Sequence, residues 1–128
     1  MKKIKLLIII FSVCAITGFQ CEKDVFFSGC LRGRVIDAFC ADYIIQVTSG
    51  SYDTSLVVSS WPDPVTGITY NNVFSVQNFC ELQKALIQPG SEISFRIGGH
   101  TSSNSCITCM GLRPTPDKKN VIKLSACF

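Results

Sequence analysis

Ser91-Glu-Ile-Ser-Phe-Arg-Ile97 alternates without a break: Ile93, Phe95 and Ile97 fall on one side of an extended chain, Glu92, Ser94 and Arg96 on the other. Successive side chains of a strand point to opposite faces, so this stretch predicts a strand with one face in a core and one in water. Just before it, Asn78–Leu86 (NFCELQKAL) is the one segment that reads as a short helix. Asn78 is placed to cap it, Glu81 follows three residues later as in a capping box, and Pro89-Gly90 stops it.

Farther upstream, Val73–Val76 reads as a short strand, and Thr66-Gly67 and Asn71-Asn72 as turns. Leu56–Trp61 is strand-like and ends at Pro62-Asp63-Pro64, because proline has no ladder donor. Ser49–Ser55 is polar and contains a glycine, which predicts a loop. Cys30–Ala38 and Asp42–Thr48, joined by Phe39-Cys40-Ala41, form the natural hairpin, with Gly33 marking a bend or bulge in its first strand. Downstream, Gly98–Ser105 reads as a mobile polar loop, Cys106–Leu112 as a further strand, and Asn120–Ala126 as a closing strand that alternates again.

Six or seven short strands with at most one short helix define an all-β domain. A helix set between the third or fourth strand and a later pair points to a small disulfide-bearing barrel of OB-like topology. An immunoglobulin-like sandwich is the alternative.

The chain opens differently. In Met1–Asp24 (MKKIKLLIIIFSVCAITGFQCEKD), Lys2, Lys3 and Lys5 precede an apolar run from Leu6 to Ile16, followed by Thr17, Gly18, Phe19, Gln20 and Cys21. That is the layout of a secretory signal peptide, and the run is too short to span a bilayer comfortably, which takes about 20 residues. A signal ending at a cysteine, with Glu22-Lys23-Asp24 directly after it, resembles a bacterial lipoprotein signal of the Bacteroidota type. The resemblance covers about the first fifth of the chain. It implies that Cys21 is acylated and becomes the first residue of the mature protein. Gly18-Phe19-Gln20 departs from the usual leucine-plus-small-residue pattern before the cysteine, and Cys14 is the rival position.

On this reading residues 1–20 are the signal, 21–29 the lipidated cysteine and tether, and 30–128 a single β domain. The resemblance implies an exported outer-membrane lipoprotein, periplasmic or surface-facing. The membrane is then a partner through the lipid anchor, alongside an unidentified envelope protein or glycan. Of 12 basic and 9 acidic residues, Lys2, Lys3 and Lys5 leave with the signal, so the mature chain balances at 9 against 9. Nucleic-acid binding, which draws on a basic face, loses its support.

Of the eight cysteines, six remain after Cys14 and Cys21 are set aside: Cys30, Cys40, Cys80, Cys106, Cys109 and Cys127. An even number in a small exported domain predicts up to three disulfides, whose pairing the spacing does not fix. Cys30 and Cys127 stand at the two ends of the domain, which makes a bridge between them attractive. Cys106-Ile-Thr-Cys109 has the spacing of a redox motif, yet Met-Gly-Leu-Arg-Pro after it makes a poor helix, so structural disulfides are the simpler reading.

A zinc site would recruit Cys106, Cys109 and His100, but there is no second CxxC. A hydrolase triad of His100, a serine and Asp37 or Asp42 lacks the G-x-S-x-G elbow. Asp53, Asp63 and Asp117 are isolated turn acids without a calcium-loop pattern. No catalytic residue, metal site or cofactor is therefore expected. Trp61 and Tyr70, near the Pro/Gly loops, are read more simply as covering the core from the loop side, with stacking on a sugar or gripping a partner as the weaker alternative.

Overall fold

A computed structural model describes residues 23–101, 106–109 and 111–127. The signal peptide and the lipid attachment at Cys21 lie outside the described residues. The elements are β1 (Leu31–Phe39), β2 (Asp42–Ser49), a 3-10 turn (Thr54–Leu56), β3 (Trp61–Pro62), β4 (Thr69–Tyr70), β5 (Val73–Val76), helix α1 (Phe79–Lys84), β6 (Glu92–Ile97), β7 (Lys119–Asn120) and β8 (Ile122–Leu124).

The main sheet runs β7-β5-β2-β1-β6-β8, all pairs antiparallel except β5 with β7. Its two edge strands are consecutive pieces of one segment, separated by Val121 alone. The sheet therefore curls round until its ends meet on a single stretch of chain, 119–124. That stretch changes partner at Val121, running parallel to β5 before it and antiparallel to β6 after it. The expected strand Asn120–Ala126 is thus two short ladders on different neighbours. Counting 119–124 as one strand gives five barrel strands with the helix between the third and fourth, the arrangement anticipated for a small OB-like barrel. One sheet closing on itself sets the immunoglobulin-like sandwich aside.

Curling is built into β1. Its pairing with β2 shifts register between Arg32 and Gly33 and again between Val35 and Asp37, and such bulges bend a strand and add twist. Gly33 sits where a Cβ would come within 2.7 Å of the Gln46 carbonyl and 2.8 Å of the Phe95 ring. Only glycine allows the strands to approach so closely there. At the hairpin tip Cys40 takes the left-handed region, with φ 57°.

The core fills the barrel with inward residues from each strand: Leu31 and Val35, Tyr43, Ile45 and Val47, Phe74 and Val76, Phe95 and Ile97, and Ile122, with Leu82 of α1 closing one end. Phe74 and Phe95 meet with ring centroids 5.9 Å apart at 58°. Truncating either to alanine would cost about 3–5 kcal/mol. On the outer side of β2 and β5, Ile44, Val73 and Ser75 are also buried. The chain around Pro116 covers this face at Ser75, whose Oγ donates to the carbonyl of Pro116, itself buried, and whose N donates to Lys118 O at 2.8 Å, while Val58 bridges Val73. That explains why Val73–Val76 is buried at every position rather than alternating.

Three sequence expectations are corrected. Leu56–Trp61 is not a continuous strand. Asp53 accepts a hydrogen bond from Ser55 N at 2.8 Å and starts the 3-10 turn, leaving an isolated bridge from Val58 to Val73 and the two-residue β3. Cys106–Leu112 pairs with no strand among the described residues, because its two cysteines are drawn to different elements. Asn78 precedes α1 but makes no side-chain cap bond, its amide being spent on Ile122 instead.

Candidate functional site

All six cysteines from Cys30 to Cys127 are bridged: Cys30–Cys127, Cys40–Cys109 and Cys80–Cys106, with Cα–Cα distances of 5.8, 5.1 and 5.5 Å. Cys30–Cys127 joins the start of β1 to the end of the domain. The other two bolt one loop across the helix-capped end of the barrel, fixing it to the β1–β2 hairpin tip through Cys40 and to α1 through Cys80. Gln83 of α1 strengthens the joint, its Nε2 donating to Cys40 O at 2.9 Å and to Ile107 O at 3.3 Å. Past Cys109, Gly111 packs against the Phe39 ring and the Cys40 sulfur. Arg113 then pairs with Asp37 at 2.6 Å and lies over the Phe39 ring, 5.7 Å from its centroid.

Cys106 and Cys109 are thus neither bonded to each other nor free. A dithiol exchange between them, or a zinc ion held by both, first requires two separate long-range bridges to open. Three disulfides of this span place the domain in an oxidising, extracytoplasmic compartment. Among the described residues no helix is long and apolar enough to cross a membrane, and no group of three or more histidine, cysteine, aspartate or glutamate side chains is placed to hold a metal ion.

His100 does not meet Asp37 or Asp42. Its Nε2 lies 3.6 Å from Asp24, which also accepts a 2.9 Å hydrogen bond from Lys123 Nζ. The Lys123 hydrogen bond chiefly, with the Lys123 and His100 charges, holds the Asp24 carboxyl below its ordinary pKa against a smaller opposing effect of burial. The site is a small polar cleft between the N-terminal segment, Glu81 of α1 and Gly98–Gly99. The start of the expected mobile loop is in fact pinned: Phe27 N donates to Ile97 O, Gly98 N to Val121 O and Gly99 N to Val25 O, at 2.8–2.9 Å. Gly98 has φ +119°, and a Cβ there would collide with the Val25 carbonyl. Residues 102–105 of that loop lie outside the described residues.

Trp61 and Tyr70 come together as directly paired residues of the β3–β4 hairpin. Cross-strand neighbours share a face with Cβ atoms about 5 Å apart, so the two aromatics form one half-buried platform. The hairpin is organised by Asp63, only 3% exposed. Its carboxylate accepts from Val65 N at 2.9 Å and Thr66 Oγ1 at 2.8 Å. Its backbone N–H donates to Ile68 O and its carbonyl accepts from Gly67 N. Burial alone would raise the Asp63 pKa. The Val65 and Thr66 bonds, with the Arg113 charge, outweigh it and hold the group below its ordinary value. Tyr70 also lines a groove of about 180 Å³ with Arg34, Gln46 and Gly90.

OB-type barrels bind oligonucleotides and oligosaccharides on the outer face of their second and third strands. Here those strands are β2 and β5; that face is covered by the chain at Ile44, Val73 and Ser75 and open at Gln46 and Thr48, where the groove beside Tyr70 lies. The sequence signal for the covered part was Val73-Phe74-Ser75-Val76, apolar but for Ser75 and too short to distinguish a two-sided strand from a buried edge. The chain matches no protein-family model, no curated protein and no solved structure.

Proposed function

We infer that the protein is an exported, lipid-anchored module of the bacterial cell envelope that binds or scaffolds rather than catalyses. One observation carries this reading: the bridges consume every cysteine of the domain. Eight cysteines less the six in disulfides leave Cys14 and Cys21, and Cys21 stands where the signal segment ends. It has no thiol left in the domain to pair with and is available for acylation. The outer membrane is the destination that the Cys21-Glu22-Lys23-Asp24 resemblance implies. The test is Cys21→Ser: the variant is expected in the soluble fraction or uncleaved, and unchanged membrane attachment and mobility would contradict the assignment.

Within that role a glycan or peptide ligand is favoured by the Trp61–Tyr70 platform. Trp61 is the only tryptophan in the chain, so its emission reports on that surface alone. Titration with envelope oligosaccharides should shift it, and a flat response across them would leave scaffolding as the role. A redox or metal role for Cys106 and Cys109 is the competing class, and would show as labile thiols or bound zinc in the purified domain.

A further inference from the structure

Four large apolar side chains stand in solvent around one point of the fold. Leu112 is 101% exposed, Ile107 87%, Leu86 79% and Phe39 41%. They converge on Gln83: it bonds the carbonyls of Ile107 and of Cys40, the residue after Phe39, while its own carbonyl accepts from Leu86 N at 3.0 Å. Leu112 follows Gly111, which is packed on Phe39 and Cys40. Two disulfides hold the loop carrying Ile107 and Leu112, so these side chains cannot simply fold inward to escape water.

The N-terminal segment enters β1 at the end away from the hairpin tip, with Ser28 bridging Tyr52, and its Asp24 reaches the side of α1. Asp24 is held by Lys123 and shares a cleft with Glu81 of α1, the helix that carries Gln83. Glu81 and Gln83 lie on one six-residue helix, so α1 links the cleft that holds Asp24 to the apolar cluster. Cys21 precedes Asp24 by three residues, a reach of at most about 11 Å. A lipid on Cys21 therefore holds the barrel close to the bilayer, on the side of α1, whose far end carries the exposed apolar residues.

We propose that this helix-capped end docks on the lipid surface, with Ile107 and Leu112 entering the interfacial layer beside the acyl anchor. The proposal rests on the lipid-anchor reading above and goes beyond it by fixing which face of the domain meets the membrane. Exposed Lys84, in the last turn of α1, is placed to meet phosphate headgroups at the edge of the cluster, as basic residues do on interfacial segments. Two of the acids at this end are offset, Asp24 by Lys123 and Asp37 by Arg113. The acyl chains supply attachment; the apolar loop supplies orientation. The Trp61–Tyr70 hairpin and the polar surface of Arg32, Thr48 and Glu92 would then have fixed places relative to the bilayer.

The experiment uses the acylated mature protein, purified from membranes and reconstituted into vesicles of phosphatidylethanolamine and phosphatidylglycerol with brominated acyl chains. Trp61→Phe removes the native fluorophore, and Ile107→Trp, Leu112→Trp or Thr48→Trp introduces a new one. Thr48 is exposed and lies six residues along β2 from the hairpin tip, about 20 Å away. Fluorophores at 107 and 112 are expected to be quenched at least about twofold more than the one at 48, because only they reach the acyl boundary. Equal quenching at all three positions, in protein whose mass carries the acyl chains, overturns the docking. Protein whose mass carries no acyl chains overturns the anchor reading, and the docking with it.

Discussion

Asn78 and Ile122, 44 residues apart, exchange two hydrogen bonds: the Asn78 amide donates to the Ile122 carbonyl at 2.7 Å and its oxygen accepts from the Ile122 N–H at 2.9 Å. A side chain here does what a strand backbone does elsewhere in the sheet. It satisfies the first residue of β8 where the last barrel segment leaves β5 and joins β6. Both partners are buried, so the pair is a clasp at the seam of the barrel.

Asn78→Ala strands two buried backbone groups. Each costs about 1–3 kcal/mol when left unpaired, so the variant should lose about 2–6 kcal/mol in urea denaturation. Asn78→Asp should be comparably unstable at neutral pH, where a carboxylate would face the Ile122 carbonyl, and should recover relative to Asn78→Ala as acid protonates it and restores a donor. A loss below about 0.5 kcal/mol in the alanine variant would show that the clasp does not hold the seam.

The domain comprising residues 23–128 should titrate with no free thiol after denaturation. Replacing Cys30 and Cys127 together by serine removes the bridge with the longest span, 97 residues, against 69 and 26 for the other two. Chain-entropy reasoning gives about 4–5 kcal/mol for that loop and about 3–4 kcal/mol for the shortest. Equilibrium denaturation should rank this variant and the one with Cys80 and Cys106 replaced by serine in that order. Two reactive thiols in the unmodified domain would contradict the pairing.

Acid should loosen the β3–β4 hairpin through Asp63. Its folded pKa lies below the ordinary carboxylate value, so its contribution is complete above that value and is lost as pH falls through the folded pKa. Trp61, paired with Tyr70 in the same hairpin, provides the readout. Its emission should shift in acid, and Asp63→Asn should show the shifted emission already at neutral pH. An acid response identical in the wild type and Asp63→Asn would assign the change to another group.

Gly98→Ala should detach the N-terminal segment without unfolding the barrel. An L residue at φ +119° is strained, and the added methyl meets the Val25 carbonyl. The amides of Phe27 and Gly99, which donate to Ile97 O and Val25 O, should exchange with solvent much faster, while those of the β1–β2 ladder stay protected. Unchanged exchange at Phe27 would show that the segment is held by other contacts.

Much of the architecture was legible because its signals are local. The alternation of Ser91–Ile97 gave β6, Val73–Val76 appeared at its observed bounds, and Gly33 marked the bend in β1. What escaped depends on partners distant in sequence. Asn78 and Glu81 carry the pattern of a capping box, and nothing within the helix reveals that Ile122 claims the amide. Cys106-x-x-Cys109 reads as one unit, yet its members bond to elements 26 and 69 residues away, which turned an expected strand into a strap. The Trp61–Tyr70 pairing was hidden because Asp63, which shapes the turn between them, looked like any other turn acid. Asp24 was read as part of a tether, and its contact with Lys123 spans 99 residues.

The intact mass of the mature protein extracted from membranes tests the central claim most directly, since it reports the cleavage site, the acylation and the disulfides together. The predicted mass is that of a chain beginning at Cys21, increased by its acyl groups and reduced by two hydrogens for each of three disulfides. A mass that retains residues 1–20, or that begins at another residue without lipid, would contradict the account.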